Sequence, residues 1–184
     1  MNDLKALDSI TKFLKENVAS KFKLKKPPNF DIPKGGLSEN EEEKINGTDL
    51  VNIAVYSGWI PPKNFLESYG YDIPGMIVML DYGSDDNEET QLNFRIKIVT
   101  YDLGLSDGEG KVTPNAQGFK DLLNIITRIR LEFQLNPVLN ECLIINKPIE
   151  WRMDEEQNYP YWSANVKFKG SIAPLKTDVE QIFL

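Results

Sequence analysis

From Asp3 to about Ala19, Leu4, Leu7, Ile10, Leu14 and Val18 return at steps of three and four. That spacing predicts an amphipathic helix with those side chains on one face. Asn2 or Asp3 can accept from the free amides of its first turn. The pattern then stops. From Lys25 to Asp49 the chain mixes Pro, Gly and charge, with Phe30, Ile32 and Leu37 as its apolar handles. This reads as a long irregular arm, either disordered or used on a partner. Leu50 to Ile60 predicts a strand, with Val51, Ile53 and Val55 alternating against Asn52, Ala54 and Tyr56. The stretch "PPKNFLESYGYDIP" that follows is a connection with room for one helical turn.

Gly75 to Asp81 is short and continuously apolar. It suits a strand covered on both faces, although periodicity alone leaves a helix open. Thr90 to Asp102 alternates cleanly, with Leu92, Phe94, Ile96 and Ile98 against Asn93, Arg95 and Lys97. The two segments form a hairpin across the polar turn "YGSDDNEET". A second helix should start with Thr113 as cap and Pro114 as first helical residue. Phe119, Leu122, Ile126, Ile129 and Phe133 mark its buried side, and Pro137 bounds its end. Two strands close the pattern. Leu143, Ile145, Ile149, Trp151 and Met153 share a face in one; Trp162, Ala164, Val166, Phe168 and Ile172 share a face in the other. A short helix is expected over "TDVEQIFL".

Helices and strands do not alternate in this order, which argues against a doubly wound parallel sheet. The expected fold is α+β: a small, mainly antiparallel or mixed sheet, two amphipathic helices packed on one face, and an arm over 25–49. The 184 residues suit a single domain spanning 1–184.

Composition narrows the chemistry. Histidine is absent and Cys142 is the one cysteine. Intrachain disulfides, Cys/His zinc sites and Ser-His or Cys-His nucleophile pairs are therefore excluded. Cys142, beside "LII", is expected to pack as a small apolar residue. A net charge of -7 disfavours broad nucleic-acid binding. No apolar run is long enough to span a membrane, and the N-terminus lacks a signal-peptide h-region, so synthesis in the cytoplasm is expected.

The charge is uneven: Lys21, Lys23, Lys25, Lys26 and Lys34 lie early, Glu39 and Glu41 to Glu43 follow, and Asp85, Asp86, Glu88 and Glu89 come later. Solvated surface is the plain reading of such runs. The sharper one pairs opposite patches on neighbouring copies. "SDGEG" and "DDNEE" lack calcium-loop spacing, and "GLSDGEG" lacks the lysine of a phosphate loop, so neither a metal nor a nucleotide cofactor is expected. Tyr159 and Tyr161 flank Pro160 next to Trp162. They either order the hairpin or contact another subunit, and Trp59 in "SGWIPP" poses the same choice.

Taken together, "ITKFLKEN", "YSGWIPPK", "PGMIVML", "TQLNFRIKIVTYD", "GFKDLLNIITRIRLEFQLNPVL" and "PIEWRMDEEQNYPYWSANVKFKG" resemble, in this order, the tail terminator (tail completion) proteins of long-tailed bacteriophages and phage-tail-like particles. The resemblance covers roughly Leu4 to Ala173, and "GFKDLLNIITRIR" with "EEQNYPYW" are its most specific pieces. It implies a structural virion protein without catalytic activity or cofactor. Such a protein would form a hexameric ring of identical subunits on the last ring of tail tube protein, stop tube growth, and present a surface to the head or neck. Sheath or head–tail connector proteins would be further partners. Assembly would take place in the host cytoplasm, on a virion or on a tail-like particle, contractile or not. On this reading Trp59, Tyr159 and Tyr161 are candidate subunit-interface residues, and Asp85, Asp86, Glu88 and Glu89 a candidate channel-facing acidic loop. A neck or head-completion connector is the alternative, and a small-ligand module using Tyr159, Tyr161 and Trp162 a third reading.

Overall fold

The computed structural model describes residues 3–27, 50–59, 72–86, 88–106, 112–113 and 116–174. The helix α1 (Asp3–Asn17) leads through a 3-10 turn at Ala19–Lys21 into β1 (Lys23–Lys25). Then come β2 (Leu50–Asn52), β3 (Ala54–Ser57), β4 (Gly75–Asp85) and β5 (Thr90–Tyr101). Two short strands follow, β6 (Leu105–Ser106) and β7 (Val112–Thr113), before the helix α2 (Gln117–Leu135). The chain continues as β8 (Val138–Leu139), β9 (Leu143–Met153) and β10 (Tyr161–Ile172). The fold is α+β, with a curled, mostly antiparallel six-stranded sheet in the order β3-β4-β5-β10-β9-β8. The β3–β4 pair is parallel, so the sheet is mixed.

One core joins the helices to the sheet. Ile10 and Leu14 of α1 and Leu122, Ile126, Ile129 and Phe133 of α2 are buried with Met76, Val78, Phe94, Ile96, Val166 and Phe168. The period-two pattern of β5 and β10 is realised side by side. Phe94 faces Phe168 and Ile96 faces Val166 across the ladder, and the two phenyl rings stack at 5.6 Å. Cys142 is buried, its Sγ 3.6 Å from Ser9 Oγ, as packing rather than reactivity requires.

Four expectations change. The span Leu50–Ile60 is not one strand: it breaks at Ile53, β2 pairs with β1, and β3 joins the main sheet. The stripe of α1 is shifted at its start, where Ala6 is buried and Leu4 is 61% exposed. The helix α2 begins at Gln117, not Pro114, and Thr113 ends β7. Ala116, at φ 55, caps α2 with no side-chain bond of its own. Finally, Trp151 shares a face with Leu143 yet is 45% exposed, because it stands at the margin of the core under the Arg130 guanidinium, 3.9 Å from the ring centroid.

Several readings lie outside the described residues: the arm over 28–49, the connection over 60–71, "SDGEG", Pro114 and the C-terminal helix over 177–184. No helix among the described residues is long and apolar enough to cross a membrane.

Candidate subunit interfaces

The aromatic break between β9 and β10 is tied to the chain that leaves β5. The Tyr159 hydroxyl donates to the Leu103 carbonyl, and the Asp102 amide donates to the Pro160 carbonyl at 3.0 Å. Tyr161 tilts against Tyr101, ring centroids 5.5 Å apart, in a small cluster with Ile73, Val99 and Leu103. Burial beside Tyr161, Tyr159 and Asp102 pushes the Tyr101 phenol up to about 12. Gln157 closes the hairpin from inside. Its side-chain amide donates to the Asp154 and Ser163 carbonyls at 2.8 and 3.0 Å and accepts from the Ser163 amide at 2.7 Å. Tyr161 and Trp162 therefore have structural work within one subunit, and Tyr159, 47% exposed, has a face left over.

Trp59 is 59% exposed but stands elsewhere. It follows β3, whose Ser57 pairs with Val78, so it lies toward the Leu80 end of the sheet. Tyr161 pairs with Tyr101 at the other end. Between Phe94, opposite Leu80, and Tyr101 the strand β5 advances about 23 Å at ~3.3 Å per residue. Trp59 and the tyrosines thus belong to separate surfaces.

Trp59 shares its end of the sheet with the acidic loop. From Asp81 to Asp85, β4 is exposed beyond a register shift between Leu80 and Tyr82, while the paired start of β5 keeps Thr90 and Leu92 buried. At its tip Asp86 Oδ1 accepts from the Glu88 and Glu89 amides, both at 2.8 Å. The Glu89 and Glu88 amides hold the Asp86 carboxyl below its ordinary range. Asp85 accepts from the Thr90 hydroxyl. Asp86 and Glu88 thus form a solvent-facing acidic tip, with Glu89 half-buried and accepting from the Gln91 side-chain amide at 2.6 Å.

On strands β5, β9 and β10, the side chains that alternate with the core residues form a polar network that the one-dimensional pattern did not reveal. Asp154 accepts from Lys97 Nζ, from the Ser163 hydroxyl and from Asn165 Nδ2, the last at 2.7 Å. Burial raises its pKa, but the bonds from Lys97, Ser163 and Asn165 outweigh that and hold the carboxyl below its ordinary value. The arrangement brings a serine and a lysine together, at 3.3 Å. Lys97 is nevertheless committed to its ion pair with Asp154, so the trio serves as a cross-strand brace. Among the described residues no three acidic or cysteine side chains gather as a metal site. An open groove of about 770 Å³ runs along β9, lined by Glu150, Trp151, Arg152, Arg95 and Lys167 among others.

Backbone groups with no strand partner among the described residues lie at the sheet margins. The Asp154 amide donates inward to Ser163 at 3.2 Å. By alternation, the amides and carbonyls of Trp151 and Met153 face outward, and Ile149 borders the register irregularity between Asn146 and Glu150. The partner strand β8 covers β9 only at Leu143 and Ile144. On the opposite margin the Ala54 and Gly58 amides donate into β4 at 3.0 Å, which turns Val55 and Ser57 outward. Among the described residues no strand covers either stretch. A strand margin of this kind is a template for another chain. The period-two pattern showed that β9 was a strand but not that it would stand near the margin. Neither a protein-family model nor a curated protein sequence matches this chain.

Proposed function

We propose that this protein is a structural subunit of a phage tail or phage-tail-like particle, a tail terminator that caps the head-proximal end of the tail tube. In this reading both amphipathic helices pack on one face of the sheet and leave its other face and margins for assembly. Copies close a ring, of six on the family resemblance, through unlike surfaces repeated about an axis. The ring ends tube growth and offers a joining surface to the neck or head.

The observation that carries the reading is where the chain keeps its unused bonding capacity. It lies in two sheet margins that no described strand covers and in an acidic tip exposed at Asp86 and Glu88. The segments that resemble the terminator family also fall on regular elements: "PGMIVML" on the first half of β4, "TQLNFRIKIVTYD" on β5, and "GFKDLLNIITRIRLEFQLNPVL" on α2 and β8. In a ring, Asp85, Asp86, Glu88 and Glu89 facing the channel would repel DNA phosphates and let the strand slide.

Electron microscopy of particles assembled with and without the chain tests this. Loss of a terminator gives tubes of excess length. Tubes of normal length that fail to join heads would instead indicate a neck connector. A free chain that binds a small ligand saturably and ignores tubes would overturn both. Charge reversal of the acidic tip that leaves DNA passage and retention unchanged would remove the channel assignment.

A further inference from the structure

The outward margin of β9 has a sequence that matches itself. Read from Lys147 to Glu155, it runs Lys-Pro-Ile-Glu-Trp-Arg-Met-Asp-Glu. Turned end for end about Trp151, it places Glu150 opposite Arg152, Ile149 opposite Met153, and Lys147 opposite Glu155. We propose that two copies of this chain pair through β9, antiparallel, with Trp151 on the two-fold axis.

The backbone allows it. The ladder to β10 turns the amides and carbonyls of Trp151 and Met153 outward, and a hydrogen-bonded antiparallel register about Trp151 requires the same of Ile149, which borders the irregularity between Asn146 and Glu150. Trp151 meets its own copy, and Ile149 meets Met153 of the partner subunit. Each such pair exchanges two hydrogen bonds. Glu150 and Arg152 then fall at non-hydrogen-bonded positions, where side chains approach most closely, and they lie on the face away from the core. Within one subunit Arg152 bonds only to Glu155, and both are largely exposed at 75% and 79%, so that contact yields readily to a cross-strand one. On the core side, Ile149 and Met153 are half-buried and Trp151 is half-covered by Arg130. A second copy would extend that apolar row.

Edge strands carry charge to discourage pairing. Charges of one sign would repel every copy. Here Glu150 falls opposite Arg152 of the partner subunit and Lys147 opposite Glu155 of the partner subunit, opposite signs in both pairs, which selects for self. A strand pair with its flanking groove lies at or below the ~1,200 Å² of a stable interface, so the pair should be weak and reversible. The proposal is independent of the terminator reading. A ring closes through unlike faces, whereas this contact joins like ones.

Sedimentation of the full chain over a micromolar-to-millimolar series provides the test. The wild type should pass from monomer to dimer. Glu150→Lys and Arg152→Glu should each weaken dimerisation about ten-fold or more, by setting like charges opposite each other twice per dimer. The double exchange Glu150→Lys with Arg152→Glu should restore it, and so should mixing the two single variants, which is the signature of this register. Circular dichroism verifies folding; should either variant unfold, Lys147→Glu and Glu155→Lys repeat the scheme one step out. A monomer at every concentration, single variants without effect, or loss without rescue on mixing would each overturn the pairing. A species that grows past the dimer through the same residues would also overturn it, in favour of contact with β3.

Discussion

Asp102 sits at the end of β5 with 2% of its surface exposed and is asked to satisfy three donors. Its Oδ1 accepts from Lys25 Nζ at 2.9 Å and from the Gly104 amide at 3.2 Å, and its Oδ2 accepts from the Gly118 amide at 3.3 Å. The last bond matters most. Gly118 lies in the first turn of α2, whose amides have no intrahelical acceptor, and Ala116 offers no cap. A carboxylate from another element performs the N-cap and also faces the positive end of the helix. Asp102→Ala removes the acceptor and leaves two amides and an ammonium behind. Loss of a cap costs about 1 kcal/mol, and each orphaned buried donor about 1–3 kcal/mol. Lys25 is 35% exposed and recovers water, so it adds little. The total is about 3 kcal/mol, which at this chain length lowers Tm by about 6–12 °C. Asp102→Asn keeps an acceptor and should lose roughly half as much. Urea unfolding gives the free energies, and amide exchange of Gly118 should accelerate before that of the α2 centre. A loss within about 0.5 kcal/mol, the range of ordinary surface changes, would refute the assignment of Asp102 as the tertiary cap of α2.

A Cβ at Gly118 would lie 2.2 Å from Trp162 Cδ1. Gly118→Ala should therefore destabilise by about 1–2 kcal/mol, overpacking exceeding the gain in helix propensity, and the same change made on Trp162→Ala should be neutral or stabilising in urea melts. The Asp154 carboxyl is held low in the folded chain, so its contribution is present above the unfolded carboxylate value and is lost as pH falls through the folded one. Asp154→Asn should flatten the acid limb of stability measured between neutral pH and pH ~3. Tyr101 behaves oppositely: its pKa is raised to about 12, so its contribution is complete below the unfolded value and disappears as pH rises through the folded one. Tyr101→Phe should remove that alkaline loss, seen in the pH dependence of the urea midpoint.

The periodicity of Leu122 to Phe133 and of Leu92 to Ile98 determined by itself that α2 and β5 exist and which of their faces is buried, because a side-chain period is a local property of the chain, although Phe119, read on the same stripe, is 36% exposed at the start of α2. The absence of histidine likewise settled which nucleophile pairs are impossible. Which strand lies beside which is a non-local fact, and only the tertiary structure decided it. The alternation of 50–60 looked continuous, yet Ile53 divides it between two sheets and β3 runs parallel to β4. Thr113 and Pro114 had the form of a helix start, yet α2 begins at Gln117, where Asp102 supplies the missing acceptor from far along the chain. Tyr161 was open to ordering its hairpin or meeting another subunit and is packed on Tyr101, whereas Trp151 read as core and stands half-exposed on a margin of β9 that no described strand covers. A pattern of apolar residues states which side of a strand avoids water; whether the strand has a neighbour on each flank depends on how the whole sheet is assembled.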